Sequence, residues 1–254
     1  MLRGLYTSYT GMKVQQQRMD VVANNLANAS TVGFKQDNVV MKSFSDVLAV
    51  KINDPESPGN ANIGQMSLGV QLDNIYTNFE QGALNYNGSP HSLAIEGEGL
   101  MTVGTLKEDG TFTEMFTRDG SMVVDMNNHL VTKNGYYVLG EDGLITVPKG
   151  NFSVSQEGTI YVDGQRIDKI QFTGFEDIST LQKVGDSNYK MSEFSNKAEF
   201  TATVRQGYEE SSNVNSVKEM IEMINLQRTY ESNQKVIMTY DSTLDQAVNN
   251  VGRV

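Results

Sequence analysis

The sequence predicts an α+β protein in which long N- and C-terminal helices form a coiled-coil domain, with an antiparallel all-β domain in the centre of the sequence between them. The helices are predicted because apolar residues recur in alternating steps of three and four near each end of the chain. The β domain is predicted because turn dipeptides separate β-prone runs through the middle of the chain. We place the helical domain at 1–36 and 205–254, an extended linker at 37–83 and the β domain at 84–204.

The first predicted helix carries a narrow heptad stripe. Its members are Leu2, Leu5, Tyr9, Met12, Gln16, Met19, Ala23 and Leu26. Gln16 is the one polar residue in the stripe, and the other faces of the helix are mostly polar. A stripe this narrow suits packing against another helix better than burial beneath a sheet.

The end of this helix is unusually rich in asparagine. Asn24, Asn25 and Asn28 lie around its last two turns, and asparagine side chains compete for backbone hydrogen bonds. Gly33 follows where the chain turns, and glycine adopts a positive φ without a steric penalty. Phe34 comes next and offers an apolar anchor against a neighbour. On residue types alone, a solvated helix end is the favoured explanation of these polar residues.

The middle of the chain changes character twice. A polar, proline-containing stretch, "NDPESPGNANIGQ", indicates a loop or extended linker. Beyond it, turn signals such as Asn134-Gly135, Glu157-Gly158 and Asp163-Gly164 separate runs such as "YYVLG" and "TIYVDG". This pattern predicts short antiparallel strands that form a small barrel or sandwich.

The second predicted helix extends from about Ser216 to Asn250. Ser216 and Glu219 have the spacing of a capping box at its start. The apolar stripe again has the heptad spacing, with Asn233 as its polar member: Met223, Leu226, Tyr230, Asn233, Ile237, Tyr240, Leu244, Ala247 and Val251. The two terminal stripes are therefore expected to pack with each other or with other copies of the chain.

Composition excludes several classes of function. The formal net charge is −11, which disfavours binding to nucleic acid or to anionic lipid, and no apolar run is long enough to span a bilayer. The chain has no cysteine, so thiolate chemistry is excluded, and neither His91 nor His129 has a second ligand at metal-site spacing. We therefore expect no catalytic, metal or cofactor site. The N-terminus has no apolar leader of the signal-peptide type.

Three ordered segments resemble the bacterial flagellar rod and hook proteins. They are "ANNLANASTVGFK" at 23–35, "FTRDGSMVVDMNNHLVTKNGYYVLG" at 116–140 and "GYEESSNVNSVKEMIEMINLQRTYESNQKVI" at 207–237. One residue departs from the family pattern, because Glu209 stands where an aliphatic residue is usual. Chain length and the segment near 46–70 most resemble the distal rod subgroup, with the proximal rod subgroup as the alternative.

The resemblance implies a structural function. Terminal helices of this family form a coiled coil around a central export channel, and the β domain lies outside. The implied partners are further copies of the chain, other rod and hook proteins, and the flagellar type III export apparatus, which exports subunits without a cleaved signal peptide. The implied location is the flagellar basal body. The alternative function is a secreted binding protein or hydrolase that uses the β domain, which would require a cleft with convergent polar groups.

The resemblance also implies an assembly interface. It comprises the two stripes and the end of the first helix. The residues concerned are Leu5, Tyr9, Met12, Met19, Asn24, Asn25, Leu26, Asn28, Gly33, Phe34, Met223, Leu226, Tyr230, Asn233, Ile237, Tyr240 and Leu244.

Overall fold

Both predicted helices form. The structure is a computed structural model, and it describes residues 2–44, 47–51, 61–67, 69–106, 112–148, 152–185, 187–198 and 203–251. Helix α1 spans Leu2–Ala27, and helix α2 spans Ser216–Gln246 with a π-helical turn at Ala247–Val251. Within these ranges, neither helix combines the length and the apolar character that crossing a membrane requires.

The start of α2 differs from the predicted capping box. Asn215 is the N-cap, and its side-chain oxygen accepts hydrogen bonds from the backbone N–H groups of Val217 and Lys218, each at 3.1 Å. Ser216 is therefore the first helical residue, so the capping-box assignment of Ser216 and Glu219 was wrong by one position. Asparagine is as good an N-cap as serine, and its amide oxygen reaches both orphan donors.

The chain divides into two compact units. The first comprises Met1–Leu26, Asp37–Tyr76 and Asn215–Val254, and the second comprises Ala27–Gln36 and Thr77–Val214. The first unit contains both helices. It also contains four strands: β1 (Asp37–Ser43), β2 (Val47–Lys51), β3 (Ala61–Met66) and β4 (Val70–Thr77). β1 pairs with β4, and β2 pairs with β3, so the segment expected to be a linker contains paired strands.

The second unit is a β structure built from short strands. In chain order they are β5 (Leu84–Tyr86), β6 (Leu93–Glu96), β7 (Leu100–Leu106), β8 (Phe112–Thr117), β9 (Met122–Val124), β10 (Leu130–Thr132), β11 (Tyr137–Gly140), β12 (Gly143–Leu144), β13 (Phe152–Val154), β14 (Thr159–Val162), β15 (Gln165–Lys169), β16 (Phe172–Phe175), β17 (Gln182–Gly185), β18 (Asn188–Lys190), β19 (Lys197–Ala198), β20 (Thr203–Gln206) and β21 (Tyr208–Glu210). A 3-10 turn, Ile178–Thr180, precedes β17.

The recorded strand pairings of this unit are antiparallel, which confirms the predicted β class of the centre. The largest sheet has the order β17-β18-β8-β7-β11-β10-β9, and β16 also pairs with β7. β13, β14 and β15 form a separate meander. At the β14–β15 turn, Asp163 and Gly164 have φ angles of 51° and 79°, the left-handed values of a two-residue hairpin turn.

Two pairings join the beginning of the unit to its end. β6 pairs with β20, and β5 pairs with β21. The core lies between these strands and the main sheet, and its side chains are aliphatic or aromatic at alternate strand positions. The largest cluster includes Leu93, Ile95, Met101, Val103, Leu130, Val138, Ile145, Phe152, Ile160, Ile170 and Val204. Residues just before α2 are therefore fixed to the start of the β unit.

Candidate functional site

The two helices of the first unit approach closely where α1 carries glycine. A Cβ atom built at Gly4 would overlap the Tyr240 hydroxyl, and one at Gly11 would lie 3.3 Å from Asn233 Nδ2. Residue numbers rise along α1 as they fall along α2, so the helices run antiparallel. Contact at these positions depends on the absence of a side chain on α1.

The other end of the helix pair is joined by polar contacts. Arg18 Nη2 lies 2.5 Å from Glu222 Oε1. Asn25, which is 1% exposed, donates to Glu219 Oε2 at 3.3 Å and to the Asp37 carbonyl at 2.9 Å, while Asp37 N–H donates back to Asn25 Oδ1 at 3.0 Å. Asn25 thus links the end of α1 both to α2 and to the first strand.

The contact row on α1 is different from the apolar stripe that the sequence analysis selected. Gly4, Gly11, Arg18 and Asn25 are spaced seven residues apart and face α2, whereas Tyr9 of the predicted stripe is 54% exposed. Small side chains allow the closest approach between helices, and hydrophobicity alone does not select them. The seven-residue spacing of the glycines was the signal available in the sequence.

The predicted interface residues differ in exposure. The buried members are Asn25, Gly33, Phe34 and Leu226. The half-buried members are Leu5, Met12, Met19, Leu26, Asn28, Met223, Tyr230, Asn233, Ile237, Tyr240 and Leu244. Tyr9 and Asn24 are exposed. The stripe on α2 thus coincides with the less exposed face of that helix, while its role between subunits stays a prediction.

The segment after α1 belongs to the second unit and is firmly held there. Gly33 has a φ of 66°, as predicted, and its N–H donates to the Glu210 carbonyl at 2.8 Å. A Cβ at this position would lie 2.6 Å from the Arg118 backbone carbon, so glycine is required twice over. Phe34 is 3% exposed, and the Lys183 ammonium lies 3.9 Å from the centre of its ring.

A buried charge cluster lies next to this segment. Lys35 Nζ is 2.5 Å from Glu210 Oε1 and donates to the Glu80 carbonyl at 2.7 Å. The Gly82 N–H donates to the same Glu210 oxygen at 2.9 Å, and Arg118 Nε lies 3.0 Å from Glu210 Oε2. The side chains of Lys35, Glu210 and Arg118 are 0%, 1% and 3% exposed. One carboxylate therefore serves two cations away from water.

Burial dominates the electrostatics of this cluster. Desolvation lowers the pKa of Lys35 and of Arg118, and the attraction of Glu210 opposes the shift in both cases. Arg118 uses its remaining donors on the Gly97 and Gly99 carbonyls. Glu210 is the carboxylate that pairs with both buried cations, so it supplies the negative charge that offsets their burial.

The cluster unites the three segments on which the family resemblance rests. Lys35 ends the first segment, Arg118 lies in the middle segment and Glu210 lies in the last one. The sequence analysis quoted each segment but did not connect these charges. The opposite charges of these residues indicated that they could form ion pairs. The sequence alone does not specify which charged residues pair when they are separated by tens of positions.

Glu209, the residue that departs from the family pattern, has polar neighbours. Its Oε1 accepts a hydrogen bond from Ser92 Oγ at 2.9 Å, and Ser121 Oγ lies at 3.5 Å. Asp119 is close by, and its pKa is raised by burial, with a further contribution from the Glu209 charge. Two buried hydroxyls therefore accommodate the carboxylate while β21 keeps its pairing with β5.

A cleft of about 390 Å³ borders Arg118 in the same unit. Its other lining residues are Phe79, Glu80, Gln81, Gly97, Glu98 and Ile178. None of these side chains is a serine, cysteine or histidine, so the lining residues contain no nucleophile–base pair of the Ser–His or Cys–His type.

Comparisons with protein families match three parts of the chain. The family described as "Flagella basal body rod protein" matches residues 5–35. The "Flagellar hook protein FlgE/F/G D1 domain" family matches residues 94–162, and the "Flagellar basal body rod FlgEFG protein C-terminal" family matches residues 205–250. These matches include both helices and much of the β unit.

Individual relatives match over nearly the entire length. The chain is 34% identical to the flagellar basal-body rod protein FlgG of Bacillus subtilis, covering 98% of this chain and 99% of the relative. It is 32% identical to the flagellar hook-basal body complex protein FlhO of the same organism, covering 100% of both chains. It is 31% identical to the flagellar basal-body rod protein FlgF of Caulobacter vibrioides, covering 98% of each.

Proposed function

The chain belongs to the flagellar basal-body rod protein family, and on that premise we propose that it is a structural subunit of the rod that self-assembles through its terminal helices. The observation that carries this proposal is the full-length similarity, which includes both helices and the β unit. The antiparallel contact between α1 and α2 adds physical support, because it unites the two ends of the chain in one element.

The assembled form we propose is a hollow axial tube. In it, the terminal helices form a coiled coil that encloses the export channel and transmits torque, and the β unit lies outside. The subunit reaches this site through the flagellar type III export apparatus. The helical domain then corresponds to 1–36 and 205–254, the linker to 37–83 and the β domain to 84–204.

The proposed interface has a physical basis in partial burial. A two-helix pair covers each helix on one side only, and most members of the α2 stripe remain half-buried. Further helices would complete their burial, and each aliphatic side chain fully removed from water contributes roughly 1.5–3 kcal/mol. Other rod and hook proteins are the proposed neighbours at the two ends of the tube.

We also propose which subgroup of the family the chain belongs to. Chain length and the segment near 46–70 favour a distal rod subunit. A proximal rod subunit is the alternative, because relatives named FlgG and FlgF both match over the full length. Locating the protein along isolated rods with a labelled antibody separates these two positions.

A substitution in the α2 stripe tests the proposed function. Ile237→Asp places a carboxylate in the seam that assembly is proposed to close, where an unpaired buried charge costs several kcal/mol. Ser232→Asp adds the same charge at an exposed position off the stripe. In a deletion strain we expect Ser232→Asp to restore motility and Ile237→Asp to fail.

The same strains show where the failure occurs. Basal bodies isolated from the Ile237→Asp strain are expected to lack the protein, while the folded β unit is still recovered from the cells after limited proteolysis. Normal rods containing Ile237→Asp would contradict assembly through this stripe.

A further inference from the structure

The outer face of α2 carries an exposed apolar ridge. It consists of Val217, Met220, Ile221 and Ile224, with 63%, 45%, 56% and 50% exposure. Their spacing of three and four residues places them on one side of the helix, roughly opposite the buried Leu226. Large aliphatic side chains grouped in this way mark an interaction surface more often than isolated ones do.

One side of the helix pair forms an apolar groove. Met12 lies one residue, about 100°, around α1 from Gly11. Ile237 lies four residues, about 40°, around α2 from Asn233, the residue that Gly11 faces. Because the helices are antiparallel, both rotations turn toward the same side. The groove is lined by half-buried side chains: Leu5, Met12, Met19, Tyr230, Ile237 and Leu244.

The opposite side of α1 is already covered within the same unit. Thr10 and Val14 are 6% and 2% exposed. Gly69 lies directly against Thr10, and the Phe44 ring is tilted against the Tyr6 ring with 6.5 Å between ring centres. On the groove side, by contrast, Leu5, Met12 and Met19 keep partial exposure.

Charge favours another copy of this unit as the occupant of the groove. The first unit has nine basic and eleven acidic residues, a net charge of −2, whereas the second has eleven basic and twenty acidic residues, a net charge of −9. Two second units repel each other at close range, while two first units meet with little electrostatic cost. The ridge and the groove also lie on different faces of one unit, so a head-to-tail contact leaves one face of each copy available to a further copy.

We infer that the ridge of one copy packs into the groove of the next copy, an assignment of contact faces that rests on the proposed rod function. The apolar side chains on both faces then lose their remaining exposure together. A head-to-tail contact of this kind continues from copy to copy, in an open helical array or a ring, and does not stop at a dimer.

Cysteine cross-linking tests this contact, because the natural chain has no cysteine. The ridge variant is Ile224→Cys, and the groove variants are Leu5→Cys, Met12→Cys and Met19→Cys. Successive groove positions are seven residues, about 10.5 Å, apart, so one of them lies within about 5 Å of the ridge cysteine along the axis in every register that places this cysteine between the first and the last of them. Ser232→Cys, exposed and off the ridge, is the control.

The variants are expressed pairwise in a deletion strain, and isolated basal bodies are treated with a short bis-maleimide. We expect dimers from Ile224→Cys mixed with at least one groove variant, no dimers from Ile224→Cys alone, and none from Ser232→Cys with the groove variants. A chain carrying both ridge and groove cysteines should give a ladder of multimers.

Other results overturn the inference in distinguishable ways. Dimers from Ile224→Cys alone indicate a two-fold contact between ridges and contradict a head-to-tail one. Basal bodies that contain the protein but give no ridge–groove dimers refute the assigned faces and leave the rod function standing. Basal bodies that lack even the unsubstituted protein refute both proposals.

Discussion

Removing the negative charge of Glu210 should destabilise the β unit strongly. Glu210→Gln keeps the shape of the side chain but leaves the Lys35 cation buried without its counter-charge and leaves Arg118 only the weaker attraction of Glu98. Their side chains are 0% and 3% exposed, so water cannot replace the carboxylate. Breaking a buried ion pair by removing one partner costs about 3–5 kcal/mol, a large part of the stability of an ordinary domain.

Urea unfolding of the full chain, followed by circular dichroism in the β region, measures this loss. The matched control is Glu96→Gln, which breaks the pair with Arg205 at 3.0 Å on the surface of the same unit. Those side chains are 43% and 49% exposed, so the control should lose at most about 1 kcal/mol. Equal free energies of unfolding for both variants would refute the argument from burial.

A double variant separates charge from packing. Lys35→Met with Glu210→Gln removes one of the two unpaired cations while keeping an unbranched side chain at residue 35. It should be more stable than Glu210→Gln alone, because residues in contact have non-additive effects. If the double variant loses as much free energy of unfolding as Lys35→Met and Glu210→Gln lose in total when measured separately, the unpaired cations are not the source of the instability.

Two further predictions concern the turn after β8. Burial raises the pKa of Asp119, so the folded protein binds the carboxyl proton more tightly than the unfolded chain does. This proton binding contributes its full stabilisation below the unfolded pKa of about 3.8. The contribution is lost as the pH rises through the raised pKa of the folded protein. Asp119→Asn should therefore reduce the fall in the free energy of unfolding with rising pH, measured by urea titrations in acidic buffers; an unchanged slope contradicts the assignment. Gly120→Ala should lower stability by about 1–3 kcal/mol or more in the same assay, because its Cβ would overlap the Leu93 carbonyl. Gly135 has a φ of 85° but open space around it, so Gly135→Ala measures the cost of the backbone conformation alone. Equal losses of stability in Gly120→Ala and Gly135→Ala would refute the steric argument.

Local periodicity determined the elements of this protein. The heptad stripe on α2 predicted both the helix and its less exposed face, because a 3.6-residue period is set by the backbone and needs no distant partner. Glycine at 33 and the Asp163-Gly164 pair predicted positive φ angles for the same reason. The antiparallel β class followed from short strands separated by tight turns.

Tertiary structure decided which residues meet. The row of Gly4 and Gly11, and not the apolar row beside it, approaches α2, because the distance between two packed helices depends on the bulk of both surfaces. Strands in the predicted linker pair because partners that lie apart in sequence satisfy each other's backbone groups.

The buried cluster shows the same limit most clearly. Lys35, Arg118 and Glu210 are each an ordinary surface-type residue in the sequence, and each lies in a different segment. Folding the chain places them together away from water, where the strength of their interaction depends on burial and distance and not on residue type alone. Sequence thus determined which charges were available, and only the tertiary structure decided that one carboxylate holds two cations beside the segment that follows the first helix.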